Sequence, residues 1–396
     1  MANLRPTKIF KHFFRSELAG GLILMICTAV SLFLANSNSG NAYIHFWQSN
    51  LDLSFSYLNL SYSIEEWIDQ GLMTIFFLMV GLELERELYV GELSGMKNAS
   101  LPIAAAIGGM CFPALIHFTL NYATSTQPGV GIPIATDIAF SLGILSLLGG
   151  RVPVSLKIFL TALAIIDDLG SVIIIAIFYN KDLHAMNLII ALCVFLFLII
   201  LNRMNVFKIW IYLIAGVIMW YFMLKSGIHA TISGVMLAFA IPFRRKIVTH
   251  PSLKLQQALH RPVNFVVVPL FALANTGVHF VAGWYTDLLS KNSLGILFGL
   301  VLGKPFGILI LSWAAVKMKW SSLPNGLTWK ILIGAGILAG IGFTMSIFIT
   351  NLAFSNQKRL IDESKIAIFI ASLIATVAGL ITLKWAIRVK VIADRA

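Results

Sequence analysis

The sequence predicts an all-α polytopic membrane protein of twelve transmembrane helices with a small external β-hairpin, and three observations support this fold class. Of its 396 residues 58% are apolar and only 12% are charged, and the mean hydropathy is +0.88. A soluble domain of this length needs a more highly charged surface. The 30 glycines and the 12% aromatic content suit closely packed membrane helices with interfacial anchors. We therefore expect residues 1–396 to form one transmembrane domain.

Twelve apolar stretches are long enough to cross a bilayer, which takes roughly 20 mostly apolar residues. Their centres lie near residues 26, 78, 110, 137, 168, 193, 215, 235, 270, 304, 340 and 375. If both termini are cytoplasmic, 22 of the 29 basic residues fall on the cytoplasmic side and six on the outer side, as the positive-inside rule requires. The basic residues do not cluster on one surface, so the net charge of +12 does not predict a nucleic-acid partner.

Between the first two spans, Leu51–Ile64 alternates apolar and polar residues. This period of two predicts a small external hairpin within about residues 45–64. Its edge would be exposed and able to pair with a second copy of the chain. A plain loop is the alternative.

Two spans carry residues that interrupt a regular helix. Gln127–Gly143 has two prolines and two glycines just before Ala135-Thr136-Asp137, and Ile333–Phe348 has four glycines. An unwound stretch leaves backbone carbonyls and half-helix ends facing a cavity. For the second segment, close glycine packing without a break is the alternative. Two interrupted segments in corresponding places indicate an inverted-repeat transporter with its site at the midplane.

Four charged residues lie near the centre of predicted spans: Asp137, Asp167, Asp168 and Lys304. Each costs roughly 2.5 to 3.5 kcal/mol at a helix centre, so all four need a reason. One buried ion pair could merely lock two helices together, but three acids against one base leave excess negative charge. Carboxylates and backbone carbonyls are hard ligands for sodium, lithium or a proton. The sequence therefore predicts a cation site.

Burial and mutual repulsion both favour the protonated form of a carboxylate, so proton and metal ion would compete for the same oxygens. Such competition is the minimal chemistry of an antiporter. Neighbouring residues of a helix diverge by about 100°, so we assign the two aspartates different roles. Lys304 could pair with an aspartate or lose its proton, and both would make it sensitive to cation binding. Asp137 could offset positive half-helix ends and Lys304 the negative ones.

Other classes fit less well. An intramembrane aspartyl protease needs its two aspartates on different helices and typically a G-x-G-D stretch, which the sequence lacks. We therefore expect no enzyme activity and no cofactor. A proton-coupled symporter of a small solute is the alternative, but it should show aromatic and polar groups lining a larger pocket. A passive channel would not need a lysine that competes with its cations.

Four residues are candidates for a pH response: Glu83, Arg86, Glu87 and His229. The first three could form an inner funnel that attracts cations and senses pH. Glu83 and Glu87 lie four residues apart on one helix face beside Arg86; a solvated helix end is the alternative. His229, near the outer end of the eighth span, reads more simply as a packed or interfacial histidine than as a pH switch.

At these residues the sequence resembles the NhaA family of sodium/proton antiporters. The similarity extends over almost the whole chain, and its most specific motifs are Ala135–Phe140, Leu156–Gly170, Gly303–Ile308 and Gly340–Ile349, with support from Phe76–Leu88 and Lys225–Thr231. The resemblance implies inverted repeats of spans 3–5 and 10–12, with two crossing discontinuous helices. It also implies electrogenic exchange of entering protons for leaving Na⁺ or Li⁺ in a bacterial inner membrane, serving pH and sodium homeostasis. Family members are often homodimers joined through the external hairpin.

Residue by residue, the resemblance assigns the ion-binding pair to Asp167 and Asp168, supporting roles to Thr136 and Asp137, and the pairing lysine to Lys304. With this pairing, we expect Asp168 to be the principal ligand of Na⁺ and Asp167 to alternate between Lys304 and the cation. The departures concern regulation. Well-known members carry a Glu-His pair ahead of a second histidine, whereas Leu255–His260 keeps only His260. Trp67–Met73 also lacks the Asn-Asp that often precedes Gly71 in the family. We therefore expect a weaker or shifted cytoplasmic pH sensor.

Overall fold

Most of the chain is helical in the computed structural model, which describes residues 6–54, 60–149, 152–179, 183–243, 250–280, 283–355 and 357–393. The first nine helices are α1 (Pro6–Ala35), α2 (Gly40–Gln48), α3 (Ile64–Trp67), α4 (Met73–Tyr89), α5 (Met96–Asn121), α6 (Ile138–Ser146), α7 (Val154–Phe178), α8 (Ala185–Arg203) and α9 (Ile209–Lys225). The others are α10 (Thr231–Ala240), α11 (Pro251–Pro262), α12 (Val268–Asn275), α13 (Trp284–Asp287), α14 (Lys291–Phe298), α15 (Lys304–Lys317), α16 (Trp329–Ala339), α17 (Phe343–Ala353) and α18 (Lys358–Ala393).

Short π-helical turns join three pairs of these helices into continuous segments. They lie at Ile68–Leu72 before α4, at Val263–Val267 between α11 and α12, and at Gly299–Gly303 between α14 and α15. Such single turns widen a helix locally and are frequent at functional sites. The turn at Gly299–Gly303 places Lys304 directly after a widened stretch of helix.

Seven segments of the described residues are long and apolar enough to cross a membrane, and two bent helix pairs raise the number to nine. The bends are 115° between α1 and α2 and 43° between α16 and α17. Two shorter apolar helices, α9 and α10, accompany them. Each predicted span centre lies within or between these helices, but the exact count of twelve stays a prediction because α10 has only 10 residues.

The predicted hairpin is confirmed as a two-stranded antiparallel sheet of β1 (Asn50–Asp52) and β2 (Ser61–Ser63). Leu51 lies opposite Tyr62 in the register. The sheet is shorter than the predicted range, and residues 55–59 at its tip lie outside the described residues. Ser63 also caps α3 through a capping box with Glu66, which fixes where the hairpin ends and the next helix begins.

Both predicted interruptions are present. A 3₁₀ helix at Gln127–Ile134 ends in extended backbone at Ala135 and is followed by α6. The second segment breaks at residues 340–342, between α16 and α17. The two breaks lie against each other, since the Asp137 amide donates to the Ile341 carbonyl at 2.8 Å.

A buried apolar cluster holds α6 between its neighbours. It includes Leu24 of α1, Leu142 of α6, Leu160 of α7 and Leu338 of α16, all at most 2% exposed. Burial of each such side chain contributes roughly 1.5 to 3 kcal/mol when water is the reference. In a bilayer the gain is smaller, because lipid is itself apolar, and close packing matters more.

Candidate ion-binding site

Asp137 occupies the break before α6 and binds both interrupted segments. Its Oδ1 accepts a hydrogen bond from the Phe140 amide at 2.9 Å, which caps the N-terminus of α6. Its Oδ2 accepts from the Thr344 amide at 3.1 Å and from the Thr344 hydroxyl, in the first turn of α17. One carboxylate therefore lies at the positive ends of two half-helices, where negative charge is stabilising.

Side-chain hydroxyls strengthen the contact between the two breaks. The Thr136 hydroxyl donates to the Ala339 carbonyl at 3.0 Å, and the Ser141 hydroxyl to the Leu338 carbonyl at 3.2 Å. Both carbonyls belong to the last turn of α16, whose C-terminal carbonyls have no partner within the helix. The Thr136 hydroxyl thus serves a carbonyl at the end of an interrupted helix, whereas the Leu338 carbonyl also accepts from the Ile341 amide at 3.1 Å.

Asp167 and Lys304 form an ion pair at the centre of the bundle. The distance from Lys304 Nζ to Asp167 Oδ2 is 3.1 Å, and both side chains are fully buried. The Thr136 hydroxyl lies 2.8 Å from the same Oδ2, so its single hydrogen is shared between this oxygen and the Ala339 carbonyl. Lys304 Nζ also donates to the carbonyl of Ile134, the last residue of the 3₁₀ helix. The lysine therefore contacts both a carboxylate and a negative helix end.

Asp168 differs from Asp167 in its surroundings. It is fully buried, and among the described residues neither of its oxygens has a hydrogen-bond partner. Asp167 Oδ1 is also buried and has no hydrogen-bond partner among the described residues. A buried ionised carboxylate without partners is very costly, so Asp168 requires a proton or a cation, whereas the other oxygen of Asp167 already binds Lys304. Oxygen donors of this kind suit a hard cation such as sodium.

A cavity of about 50 Å³ leads to the contact between the breaks. Its lining includes Asp137 and Thr344 at one end and Glu83 and His260 among the other side chains. Three predicted residues that lie far apart in the sequence, Glu83, Asp137 and His260, thus line one cavity. Asp167 and Asp168 are not part of the lining.

Comparison with known proteins assigns this chain to a family. Residues 11–383 match the sequence profile described as Na⁺/H⁺ antiporter 1. The chain belongs to this family. It is therefore a transporter and not an enzyme, and a multi-pass protein of the bacterial inner membrane.

Several relatives of this family are similar over nearly the full length. The protein named Na⁺/H⁺ antiporter NhaA 1 of Flavobacterium johnsoniae is 55% identical over 382 residues, covering 96% of this chain and 98% of its own. The antiporter NhaA of Dechloromonas aromatica is 54% identical, with 96% of each chain covered. That of Flavobacterium psychrophilum is 53% identical, with 99% and 100% covered. The predicted resemblance to NhaA proteins is thus confirmed.

In this family member, the predicted pH-response residues of α4 form one charged group. Arg86 Nη2 lies 2.7 Å from Glu87 Oε1 and 3.5 Å from Glu83 Oε1. Glu83 is 8% exposed and lines the cavity. Glu83 thus lines the same cavity as Asp137, with Arg86 as its neighbour.

The two predicted histidines lie in different places. His260 lines the cavity with Glu83, and its Nε2 lies 3.4 Å from Asn264 Nδ2. His229 is buried at the start of α10, and its Nε2 lies 2.9 Å from the Tyr179 carbonyl. This contact joins α10 to the end of α7, so His229 has a packing role in addition to any response to pH.

Sequence reasoning missed several polar residues. Thr344 follows a glycine-rich break, and nothing in the sequence shows that its hydroxyl reaches Asp137. Asp69 was not counted among the membrane charges, yet it is 7% exposed and accepts from Asn275 at 2.9 Å and Asn351 at 3.0 Å. Glu363 is also buried, at 8% exposure. All of these depend on contacts between residues more than 70 positions apart.

Proposed function

We propose that this protein is an electrogenic sodium/proton antiporter that exports Na⁺, or Li⁺, in exchange for entering protons. The observation that carries this proposal is the buried Asp168 carboxylate, which has no hydrogen-bond partner among the described residues and adjoins the Asp167–Lys304 ion pair. The proposed substrates follow from these oxygen donors and from the names of the relatives.

Cation and protons exclude each other at this site. Without Na⁺, protons neutralise Asp168 and the Asp167–Lys304 pair carries no net charge. When Na⁺ binds, the Asp168 proton leaves, and Asp167 turns from Lys304 toward the cation. The lysine then lies buried without its carboxylate, which favours loss of its own proton. Two protons thus leave for each cation that binds, and the exchange moves net charge.

The interrupted segments supply the movement. We propose twelve spans with both termini in the cytoplasm, in which spans 3–5 and 10–12 form inverted repeats and the two broken helices cross. The hydrogen bonds from Thr136 and Ser141 to α16 support a crossing at this point. Half-helices that meet at the midplane can rock around a fixed site, which exposes it to one side at a time.

Regulation and assembly complete the proposal. Protonation of Glu83, Glu87 and His260, with Arg86 and His229 beside them, would adjust transport to cytoplasmic pH. The hairpin would pair with that of a second copy to form a homodimer in the lipid bilayer. The physiological role would be pH and sodium homeostasis. A proton-coupled symporter is less well supported, because a cavity of about 50 Å³ has no room for an organic solute.

The test is a dye measurement in everted membrane vesicles. In vesicles acidified by respiration, NaCl should relieve the quenching of a pH-sensitive dye, whereas choline chloride should not. Asp168→Asn should abolish the response, and a normal sodium response in that variant would overturn the site assignment. Asp287→Asn is the matched control, because Asp287 pairs with Arg359 at the surface. An imposed potassium diffusion potential should change the initial rate if the exchange is electrogenic.

A further inference from the structure

A buried polar network joins α5, α14 and α18 at the end of the bundle away from the chain termini. Its centre is His117 of α5, Asn292 of α14 and Glu363 of α18, which are 0%, 1% and 8% exposed. We propose that this network is a proton-binding site that inhibits transport when the external side becomes acidic. The proposal rests on the antiport function and the membrane orientation given above.

Hydrogen bonds fix the protonation of the imidazole. Asn292 Nδ2 donates to Glu363 Oε1 at 3.3 Å and to Ser364 Oγ at 2.8 Å. Asn292 Oδ1 therefore faces His117 Nε2, at 3.3 Å, and accepts a hydrogen from it. The neutral ring then carries its hydrogen on Nε2 and a lone pair on Nδ1. Among the described residues, His117 Nδ1 has no partner although it is buried.

The carboxylate of Glu363 is held by several donors. Its Oε1 accepts hydrogen bonds from the hydroxyls of Ser290 and Ser293, in addition to the Asn292 amide. Ser290 is also the N-cap of α14. These donors hold the Glu363 carboxyl group in place. The amide of Asn292 thus connects an anion to a neutral imidazole.

Two glycines form the walls around the imidazole. A Cβ atom on Gly129 would lie 3.0 Å from His117 Cε1 and Nε2, and one on Gly295 would lie 2.8 Å from Cδ2. Gly129 belongs to the 3₁₀ helix and Gly295 to α14. A side chain at either position would meet the ring, so the imidazole lies close to the backbone of both segments.

Both segments lead to the ion site. The 3₁₀ helix ends at Ile134, whose carbonyl accepts from Lys304. The helix that starts at Lys291 runs through α14 and the π-helical turn to Lys304 itself. A displacement at His117 is thereby transmitted to the position of Lys304 from two directions.

A second proton would disturb this arrangement. Imidazolium donates from both nitrogens, and among the described residues no acceptor faces Nδ1. The ring must then turn or shift to solvate its new N–H, and the glycine walls move with it. Transport slows because Lys304 and Asp167 no longer meet in the geometry of the transport cycle.

The other titratable groups on the packed elements do not replace the role of His117. Lys291 of α14 is exposed, and the hydroxyl of Tyr179 is bound to the Pro128 carbonyl at 2.6 Å. The 3₁₀ helix has no titratable side chain. The remaining charged groups on α5, α7, α15 and α18 near this end or at the ion site are Asp167, Asp168, Lys304, Asp362 and Lys365, with Lys358 and Arg359 exposed at the start of α18.

The test is exchange of labelled for unlabelled sodium in proteoliposomes, since this mode moves no net protons and has no pH-dependent driving force. Protein of one orientation is selected, the pH on the cytoplasmic side is fixed, and sodium is saturating on both sides to suppress proton competition. Between external pH 7.5 and 4.5 we expect the wild type to lose severalfold in rate as His117 takes up its second proton. His117→Phe keeps the ring but not the proton, and should stay within about twofold.

Two further variants move the midpoint of inhibition in opposite directions. Asn292→Asp places a carboxylate beside the imidazole and should raise the midpoint by about one pH unit, because an opposite charge favours imidazolium. Glu363→Gln removes the nearby anion and should lower the midpoint. A purely structural role would not produce opposite shifts, and these two variants decide the matter if His117→Phe does not fold. His184→Phe is the control, because His184 is exposed at the same end.

Each result has a definite meaning. Loss of acid inhibition in His117→Phe together with opposite midpoint shifts supports the proton-binding site. Equal inhibition of wild type and His117→Phe, or no effect of external acid on the wild type, overturns it while leaving antiport intact. Absence of sodium exchange by the wild type at every pH would contradict the antiport function itself.

Discussion

Asp167 and Lys304 lie 3.1 Å apart as a fully buried ion pair, and the lysine also binds the end of the 3₁₀ helix at Ile134. A buried pair contributes little net stability, because the desolvation of two charges offsets their attraction. Its value lies in the neighbouring Asp168, whose oxygens have no partner among the described residues. In the proposed function, a cation that binds at Asp168 weakens the attraction between Asp167 and Lys304.

The first prediction concerns the energy of this pair. Lys304→Met leaves Asp167 buried without its cation and should destabilise the protein by about 3 to 5 kcal/mol. The double variant Lys304→Met with Asp167→Asn should recover most of this loss, because no uncompensated charge remains. Apparent melting temperatures in detergent, measured at one scan rate, give the comparison.

The control for this cycle is the surface pair of Arg359 and Asp287, at 3.4 Å, in which the Arg359 side chain is 86% exposed. Arg359→Met should change stability by less than about 1 kcal/mol. If the double variant at the buried pair melts no higher than Lys304→Met alone, the two residues do not interact as the structure indicates.

The second prediction concerns Thr344. Its hydroxyl donates to Asp137, and a hydrogen bond to a charged group contributes about 1.5 to 3 kcal/mol. Thr344→Val keeps the shape of the side chain but loses this donor, so we expect a lower melting temperature and a several-fold higher sodium concentration for half-maximal transport. Thr344→Ser keeps the hydroxyl and should restore both values to near the wild type. Equal behaviour of the two variants would show that the hydroxyl is unimportant.

The central part of the site could be predicted because membrane burial makes charge rare. Asp137, Asp167, Asp168 and Lys304 are conspicuous in apolar spans, and the glycines and prolines before Asp137 interrupt its helix for reasons intrinsic to each residue. The pairing of Asp167 with Lys304 came from the resemblance rather than from the pattern. The geometry now gives the partners and distances of these residues.

Other features could not be predicted, because they depend on contacts between distant segments. Asp69 lies near the end of a span, where a carboxylate needs no explanation, and only the fold brings Asn275 and Asn351 to it. In the sequence His117 likewise resembles an interfacial histidine, and only the fold brings Gly129 and Gly295 next to its ring. The π-helical turns also left no signal in the apolar pattern.

The third prediction concerns the shifted pH sensor. Transport should persist with a pH profile different from that of a relative that carries the Glu-His pair, and identical profiles in everted vesicles would count against this.

Gln256 is 7% exposed and one turn beyond Ser252, whose hydroxyl donates to Glu85 at 2.9 Å. Gln256→Glu adds a second buried carboxylate near Glu85, and repulsion favours protonation. The acid limb of the profile should move up by about one pH unit, whereas Gln257→Glu, on an exposed position, should leave it unchanged.

The fourth prediction concerns the packing of α5 against α15, the helix that begins at Lys304. A Cβ atom on Gly108 would lie 2.0 Å from the carbonyl oxygen of Gly307, so the two backbones touch, as small residues allow in membrane bundles. Gly108→Ala must separate the helices, which should cost about 1 to 3 kcal/mol or more and move Lys304 away from Asp167. We expect a lower melting temperature and a reduced sodium response in vesicles. Gly71→Ala is the control, since its Cβ would meet only Trp67, at an ordinary 3.8 Å, and it should keep both properties. Wild-type stability and activity in Gly108→Ala would refute the close approach of these helices.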